Sequence, residues 1–239
     1  MRHRYSYAAQ KNYRHRKQWI ALFVVISLLL YVSITSLFFS MRVLENKTMG
    51  SNLLPGERFI FSSYRIHSVI PALDLKKRPL PFHRGSIVLV DMSVRESPGP
   101  FILFLDGVLR LFSAQNLSIV EQRDEIFLKR VIGLPGDEII INNFVVRVRV
   151  KGSAHSLTEF EVTEANYTTD IPQLPALWDS SLPFSGNIEV IILGENECFV
   201  LSDDRSNTND SRTWGPIPVE KITGKALFRY WPLNRLGRP

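Results

Sequence analysis

Residues 18–41 contain no Asp, Glu, Lys or Arg, an uncharged run of 24 positions. About 20 apolar residues cross a bilayer as a helix, and a helix packed on a globular core keeps a polar face. The run therefore predicts a transmembrane segment over residues 18–41. A cleaved signal sequence has an apolar stretch of about 7–15 residues ending at small residues. Here the run ends L-F-F-S-M before Arg42, so an uncleaved anchor is expected. Residues 1–17 carry Arg2, Arg4, Lys11, Arg14, Arg16 and Lys17 and no acidic residue. By the positive-inside rule this basic tail is expected in the cytoplasm, with residues 42–239 on the far side and Trp19 at the interface.

Charge elsewhere is balanced. Taking those six from the 29 Lys and Arg leaves 23, against 23 Asp and Glu. A nucleic-acid-binding domain needs basic residues on a folded face, so nucleic acid is not an expected partner. The single cysteine, Cys198, excludes an internal disulfide, a cysteine-based zinc site and an iron–sulfur cluster.

Beyond residue 42, apolar stretches of strand length recur at 58–61, 87–90, 126–132, 138–141, 144–150, 189–193, 198–201 and 226–231. Turn signals such as L-P-G-D at 134–137 and Asn142-Asn143 separate them, which predicts a mainly β domain. Residues 101–112 differ, being apolar except for Asp106 and Arg110, an i,i+4 pair on a helix. They are too few to span a membrane; a helix packed on the β core and a helix lying on a membrane surface are equal readings.

Chemistry is harder to place. There is no G-x-S-x-G elbow, H-E-x-x-H, phosphate-binding glycine loop or dinucleotide fingerprint, and the five histidines share no ligand-like spacing. A hydrolase built on this chain needs a base other than histidine. Lys129 fits that need. In a strand over 126–132, Phe127, Lys129 and Val131 share one face, and Leu128, Arg130 and Ile132 the other. Burial between apolar neighbours disfavours the ammonium and lowers the pKa toward neutrality, where the free amine is a base. A strand-edge lysine reaching to water is the alternative, and periodicity alone favours it.

Three stretches carry a resemblance: N-K-T-M-G-S-N-L-L-P-G-E at 46–57, K-R-V-I-G-L-P-G-D at 129–137 and S-D-D-R-S-N-T-N-D-S-R-T-W-G at 202–215. In order and spacing they resemble the boxes of type I signal peptidases, membrane-anchored proteases with a Ser/Lys dyad. R-G-S-I-V at 84–88, G-K-A at 224–226 and Y-W-P at 230–232 add to the likeness. The resemblance covers most of the chain after Arg42 except inserted stretches near 91–120 and 150–195. It implies a β-rich extracytoplasmic peptidase domain that cleaves signal peptides from secretory precursor proteins beside the lipid bilayer, with no metal or cofactor.

The first box is the most altered. Thr48 stands where the family has its nucleophilic serine, Gly50, Ser51 and Asn52 where it has x-P-T, and Glu57 replaces Asp. Three readings follow. Thr48 is the nucleophile, since an amine can activate a threonine hydroxyl even though its methyl restricts χ1; the chain keeps the fold and binds precursors or a partner without cleaving; or Ser51 is a displaced nucleophile. The resemblance implies Lys129 as base and Thr208 as the hydroxyl orienting it. It further implies an oxyanion site from the Thr48 N–H and the Asn46 side chain, and a structural ion pair of Asp210 with Arg212. Arg130 and Asp203 are expected nearby. Four N-x-S/T triplets begin at Asn46, Asn116, Asn166 and Asn209. Glycans at Asn46 or Asn209 would obstruct the boxes, so the triplets are read as chance, and a bacterial plasma membrane is the expected location.

Overall fold

The computed structural model describes residues 7–44, 47–64, 80–93, 99, 101, 102, 105, 106, 109, 119, 125–163, 166–173 and 186–239. The chain forms two units, Met1–Leu37 with Ser97–Gln122, and Phe38–Glu96 with Arg123–Pro239.

The first unit holds α1, Tyr7–Phe38, a 32-residue helix with no proline or glycine to interrupt it. Trp19, Ile20, Phe23, Val24, Val25 and Ile26 are all exposed, so its apolar surface runs around the helix instead of along one stripe. Among the described residues no helix is long and apolar enough to cross a membrane. The side chains described within α1 are those of residues 13–31, which take in only the first 14 positions of the uncharged run. Phe101, Ile102, Leu105, Asp106 and Leu109 are helical, in agreement with the helical reading of that stretch. Asp106 Oδ1 accepts from the Ile119 N–H at 2.7 Å; Arg110, its expected i,i+4 partner, lies outside the described residues.

The second unit is mainly β. Its larger sheet joins β1 (Phe39–Val43), β2 (Arg58–Ser63), β3 (Ile87–Asp91) and β4 (Ile126–Gly133) to three later strands. These are β9 (Glu197–Leu201), β10 (Ile217–Pro218) and β11 (Ile222–Trp231), in the order β1-β2-β11-β3-β4-β9-β10. The smaller sheet joins β5 (Glu138–Asn142), β6 (Val145–Arg149), β7 (Leu157–Thr158) and β8 (Ile188–Ile192) in the order β7-β6-β5-β8. Short helices α2 (Glu159–Val162) and α3 (Ser211–Trp214) belong to the same unit.

The continuous apolar run of β3 reflects cover on both faces. Ile87 and Leu89 pack with Met49, Phe59, Phe61 and Leu128, while Val88 and Val90 pack with Val131, Val200 and Ile222. The smaller sheet alternates instead. Ile139, Ile141, Val146 and Val148 bury one face against Ile132, Phe199 and Leu201 from β4 and β9.

Eight expected strands are present, with three departures. Residues 39–41 end the uncharged run, yet they belong to β1, which pairs with β2 from Phe39↔Ser62 to Val43↔Arg58. An edge ladder satisfies their backbone, which apolarity alone cannot reveal. The strand expected from 226 starts at Ile222. Gly224 looks like an interruption, but a Cβ there would lie 2.5 Å from the Ser62 carbonyl oxygen, so glycine permits close strand approach. The strand expected from 144 starts at Val145, because Asn143 and Phe144 both have positive φ (49° and 64°) in a tight hairpin.

Candidate active site

Lys129 sits on β4 opposite Val88 of β3 and is completely buried. Its Nζ donates to Ser202 Oγ at 2.7 Å and lies 5.6 Å from the centroid of the Trp214 ring and 5.8 Å from that of Phe127. The two rings pack on each other at 5.3 Å. Burial is the main reason its pKa falls from the ordinary 10.5 to about 8; Asp210 and Asp203 oppose the fall and Arg212 adds to it.

A hydrogen-bonded scaffold fixes this pocket. The Ser202 N–H donates to Asp210 Oδ2 at 2.9 Å, and the Asp210 side chain caps α3 by accepting from Arg212 N at 3.0 Å. Arg212 grips the same carboxylate, Nε to Oδ1 at 2.9 Å and Nη2 to Oδ2 at 2.8 Å, and donates to the Arg205 and Asn207 carbonyls. On the other face of β4, Arg130 is bidentate to Asp203, with Nε to Oδ1 at 2.8 Å, and also donates to the Gly85 carbonyl at 2.8 Å. Asp137, at the end of the L-P-G-D turn, accepts from Arg84 at 2.8 and 2.9 Å and from Leu134 N at 2.9 Å. That contact ties the second box to the R-G-S-I-V stretch.

The structure distributes the expected site residues unevenly. Lys129, Asp210 and Arg212 converge around Ser202. Thr48 is half-buried in a turn, and its carbonyl accepts from the Asp204 N–H at 3.4 Å, two residues beyond Ser202. Among the described residues no hydrogen bond joins Thr48 to Lys129. Asn46 lies outside the described residues. Among the described residues no hydrogen bond joins Thr208 to Lys129. The Thr208 carbonyl accepts from Asp210 N at 2.9 Å and from the Thr213 hydroxyl, while Ser202 at the head of the box supplies the hydroxyl. The reason is register: Ser202 directly follows β9, the strand paired with β4, and so emerges beside Lys129. Burial pushes the Cys198 thiol up to about 12, which keeps it protonated and removes it as a competing nucleophile. Among the described residues no cluster of His, Cys, Asp and Glu could hold a metal ion.

A family model described as "Signal peptidase, peptidase S26" matches residues 16–231. The chain belongs to this family. It is 33% identical over 173 residues to "Signal peptidase I" of Leptolyngbya laminosa, covering 71% of this chain and 68% of that one. It is 31% identical over 134 residues to "Probable signal peptidase I-1" of Synechocystis sp., covering 55% and 57%. A 55-residue stretch, 23% of this chain and 16% of the relative, is 41% identical to "Thylakoidal processing peptidase 1, chloroplastic" of Arabidopsis thaliana. The match spans 57% and 50% of the two Synechocystis relatives, about half their length.

Sequence reading passed over Ser202, Trp214, Glu159 and Asp170. For Ser202 a signal existed: it opens the third box directly after the apolar segment at 198–201. Glu159 and Asp170 lie between β7 and β8, and the partners that tie them to the third box, Arg205 for the first and Asp203 and Arg205 for the second, are more than 30 residues away, a separation that no local pattern reports.

The depressed lysine pKa fixes a stability prediction. Below about pH 8 Lys129 is protonated in both folded and unfolded chains, and its burial costs about 3 kcal/mol. Between about pH 8 and 10.5 the unfolded chain keeps the proton that the folded chain has lost, so stability rises with pH and the penalty is gone above 10.5. Lys129→Met removes the penalty but leaves Ser202 Oγ without its donor, worth about 1 kcal/mol. Chemical denaturation at pH 7 should show the variant about 2 kcal/mol more stable than wild type, and that advantage should shrink as pH rises toward 10.

Proposed function

We propose that the chain is a membrane-anchored endopeptidase that removes N-terminal signal peptides from exported precursors, with Thr48 as nucleophile and Lys129 as base. The observation that carries the reading is the buried Lys129, held between Phe127, Trp214 and Ser202 with its pKa near 8. An ammonium so placed is a net cost to folding, and a free amine at that position is a general base. Lys129 takes the Thr48 hydroxyl proton as the oxygen attacks the scissile carbonyl. The Lys129 ammonium then returns that proton to the leaving amine, giving an ester on Thr48 and free mature protein. Water deprotonated by Lys129 hydrolyses the ester and releases the signal peptide. Ser202 orients the amine. The Thr48 N–H and the Asn46 amide are the oxyanion donors in this scheme. Asp210 and Arg212 act indirectly, by fixing the backbone that carries Ser202.

The anchor is part of the same proposal. The 24-residue uncharged run, the basic tail before it and the apolar surface around α1 support a single bilayer crossing with residues 1–17 in the cytoplasm of a bacterial cell. Such an anchor would hold the dyad near the bilayer, where signal peptides present their cleavage sites.

A second reading has one observation in its favour. Lys129 is bonded to Ser202, and no described hydrogen bond joins it to Thr48, as expected of a relative that binds precursors without cleaving them. Purified full-length protein in detergent, mixed with a radiolabelled precursor, separates the two. Under the proposal, mature product accumulates at a rate that rises with pH through about 8. Precursor that is bound and never shortened would establish the second reading.

A further inference from the structure

The stretch inserted between β7 and β8 reaches the nucleophile loop. Asp170 Oδ2 accepts from the Ser51 N–H at 2.9 Å, and its Oδ1 accepts from Ser51 Oγ at 3.3 Å. Two residues earlier, Thr168 and Asn52 form a reciprocal pair: Asn52 Nδ2 to the Thr168 carbonyl at 2.6 Å, and Thr168 N to Asn52 Oδ1 at 3.1 Å. Asp170 is itself fixed from the third box. Its N–H donates to the Asp203 carbonyl at 3.0 Å, and its carbonyl accepts from Arg205 N at 2.8 Å. The fit is close. Gly50 has φ +55°, and a Cβ there would lie 2.5 Å from Asp170 Oδ2.

The same stretch is held from below by buried groups. Glu159 pairs with Arg205 at 2.5 Å, both almost wholly buried, and accepts from the Tyr167 hydroxyl at 3.0 Å. The Tyr167 ring lies under the Arg130 guanidinium, 3.8 Å from centroid to Cζ. Residues 159–170 thus join Ser51 and Asn52, three and four positions past Thr48, to Asp203 and Arg205, just past the serine that orients Lys129.

We propose that Asp170 is a positioning residue for the reaction. By accepting from Ser51 it sets where the Thr48 turn stands against the Lys129–Ser202 pair. The need for it follows from the first box, where Gly50-Ser51-Asn52 replaces x-P-T. A proline fixes its own φ and stiffens the residue before it, whereas glycine and serine leave the turn free. Here an outside carboxylate supplies the restraint. Its exposed hydrogen bonds are individually weak, but placement of a nucleophile is sensitive: about 1 Å of displacement costs on the order of 10²-fold in rate.

This inference rests on the Thr48/Lys129 reading, and the test keeps the two apart. Full-length wild type, Asp170→Ala and Asp170→Asn are compared for precursor cleavage, and by hydrogen exchange over residues 48–54. Asp170→Ala is expected to lower kcat about tenfold or more with KM within about twofold, and to speed exchange at Ser51 about tenfold. Asp170→Asn keeps an acceptor oxygen and is expected to stay within about threefold of wild type in both. Unchanged kcat and exchange in Asp170→Ala overturn the proposal, as does equal impairment of the two variants. Should Asp170→Ala fail to fold, near-wild-type kcat and exchange in Asp170→Asn still support it and a tenfold loss there overturns it. An inert wild type whose Ser51 exchange still depends on Asp170 would overturn the dyad reading and leave the restraint on the loop supported.

Discussion

Thr48→Ala is expected to abolish precursor cleavage, with no acyl-enzyme trapped, and Thr48→Ser is expected to match or exceed wild type. Both outcomes follow from one side chain. Alanine removes the only oxygen that Lys129 can activate at that position, a loss of three orders of magnitude or more on the order seen when a nucleophile is deleted. Serine keeps the hydroxyl and drops the methyl that restricts χ1 and crowds the approach to the carbonyl. Ser51→Ala should change the rate only modestly, because Asp170 keeps its stronger contact, the Ser51 N–H at 2.9 Å. A single precursor-processing gel separates the alternatives. Cleavage surviving Thr48→Ala and lost in Ser51→Ala would make Ser51 the nucleophile. Activity appearing only in Thr48→Ser would identify a binding protein whose base is intact.

Lys129→Arg is expected to be inactive at every pH tested. A guanidinium does not release its proton in a protein, so it cannot act as the base. Arginine is also bulkier than the fully buried lysine it replaces, and near-ultraviolet circular dichroism on the variant separates lost packing from lost chemistry. In the wild type, the logarithm of kcat/KM should rise with pH at unit slope below about 8 and level off above it, since only the free amine is competent. Full turnover in Lys129→Arg, or a flat profile from pH 6 to 9, would remove the lysine from the mechanism.

Much of this arrangement was legible along the chain. Alternation over 126–132 placed Lys129 on the face of Phe127 and Val131, and both of its neighbours there are apolar in the fold. Arg130 points to the opposite face, where Asp203 meets it. The L-P-G-D turn and the eight strand segments rest on residues close in sequence, where period-two patterning and turn chemistry act, and the likeness to signal peptidases rests on three boxes spread along the chain. Local pattern missed what is set by contacts between distant segments. Residues 39–41 are apolar enough to extend a helix, and only the ladder to β2 makes them a strand. Gly224 looks like a break until the Ser62 carbonyl is seen against it.

The site divides along the same line. By itself the sequence showed that no histidine arrangement competes and put Lys129 on the face of Phe127 and Val131; burial in the fold, which periodicity left open, is what lowers its pKa. The tertiary structure alone decided which hydroxyl meets that lysine. Thr208 and Ser202 are six residues apart in one box, and β9 pairing with β4 brings the second one to Nζ. It alone also connected Asp170 to Ser51 across 119 positions. Side-chain periodicity carries information over a few residues, whereas a hydrogen bond between remote loops depends on how the sheets close and leaves no trace in either loop.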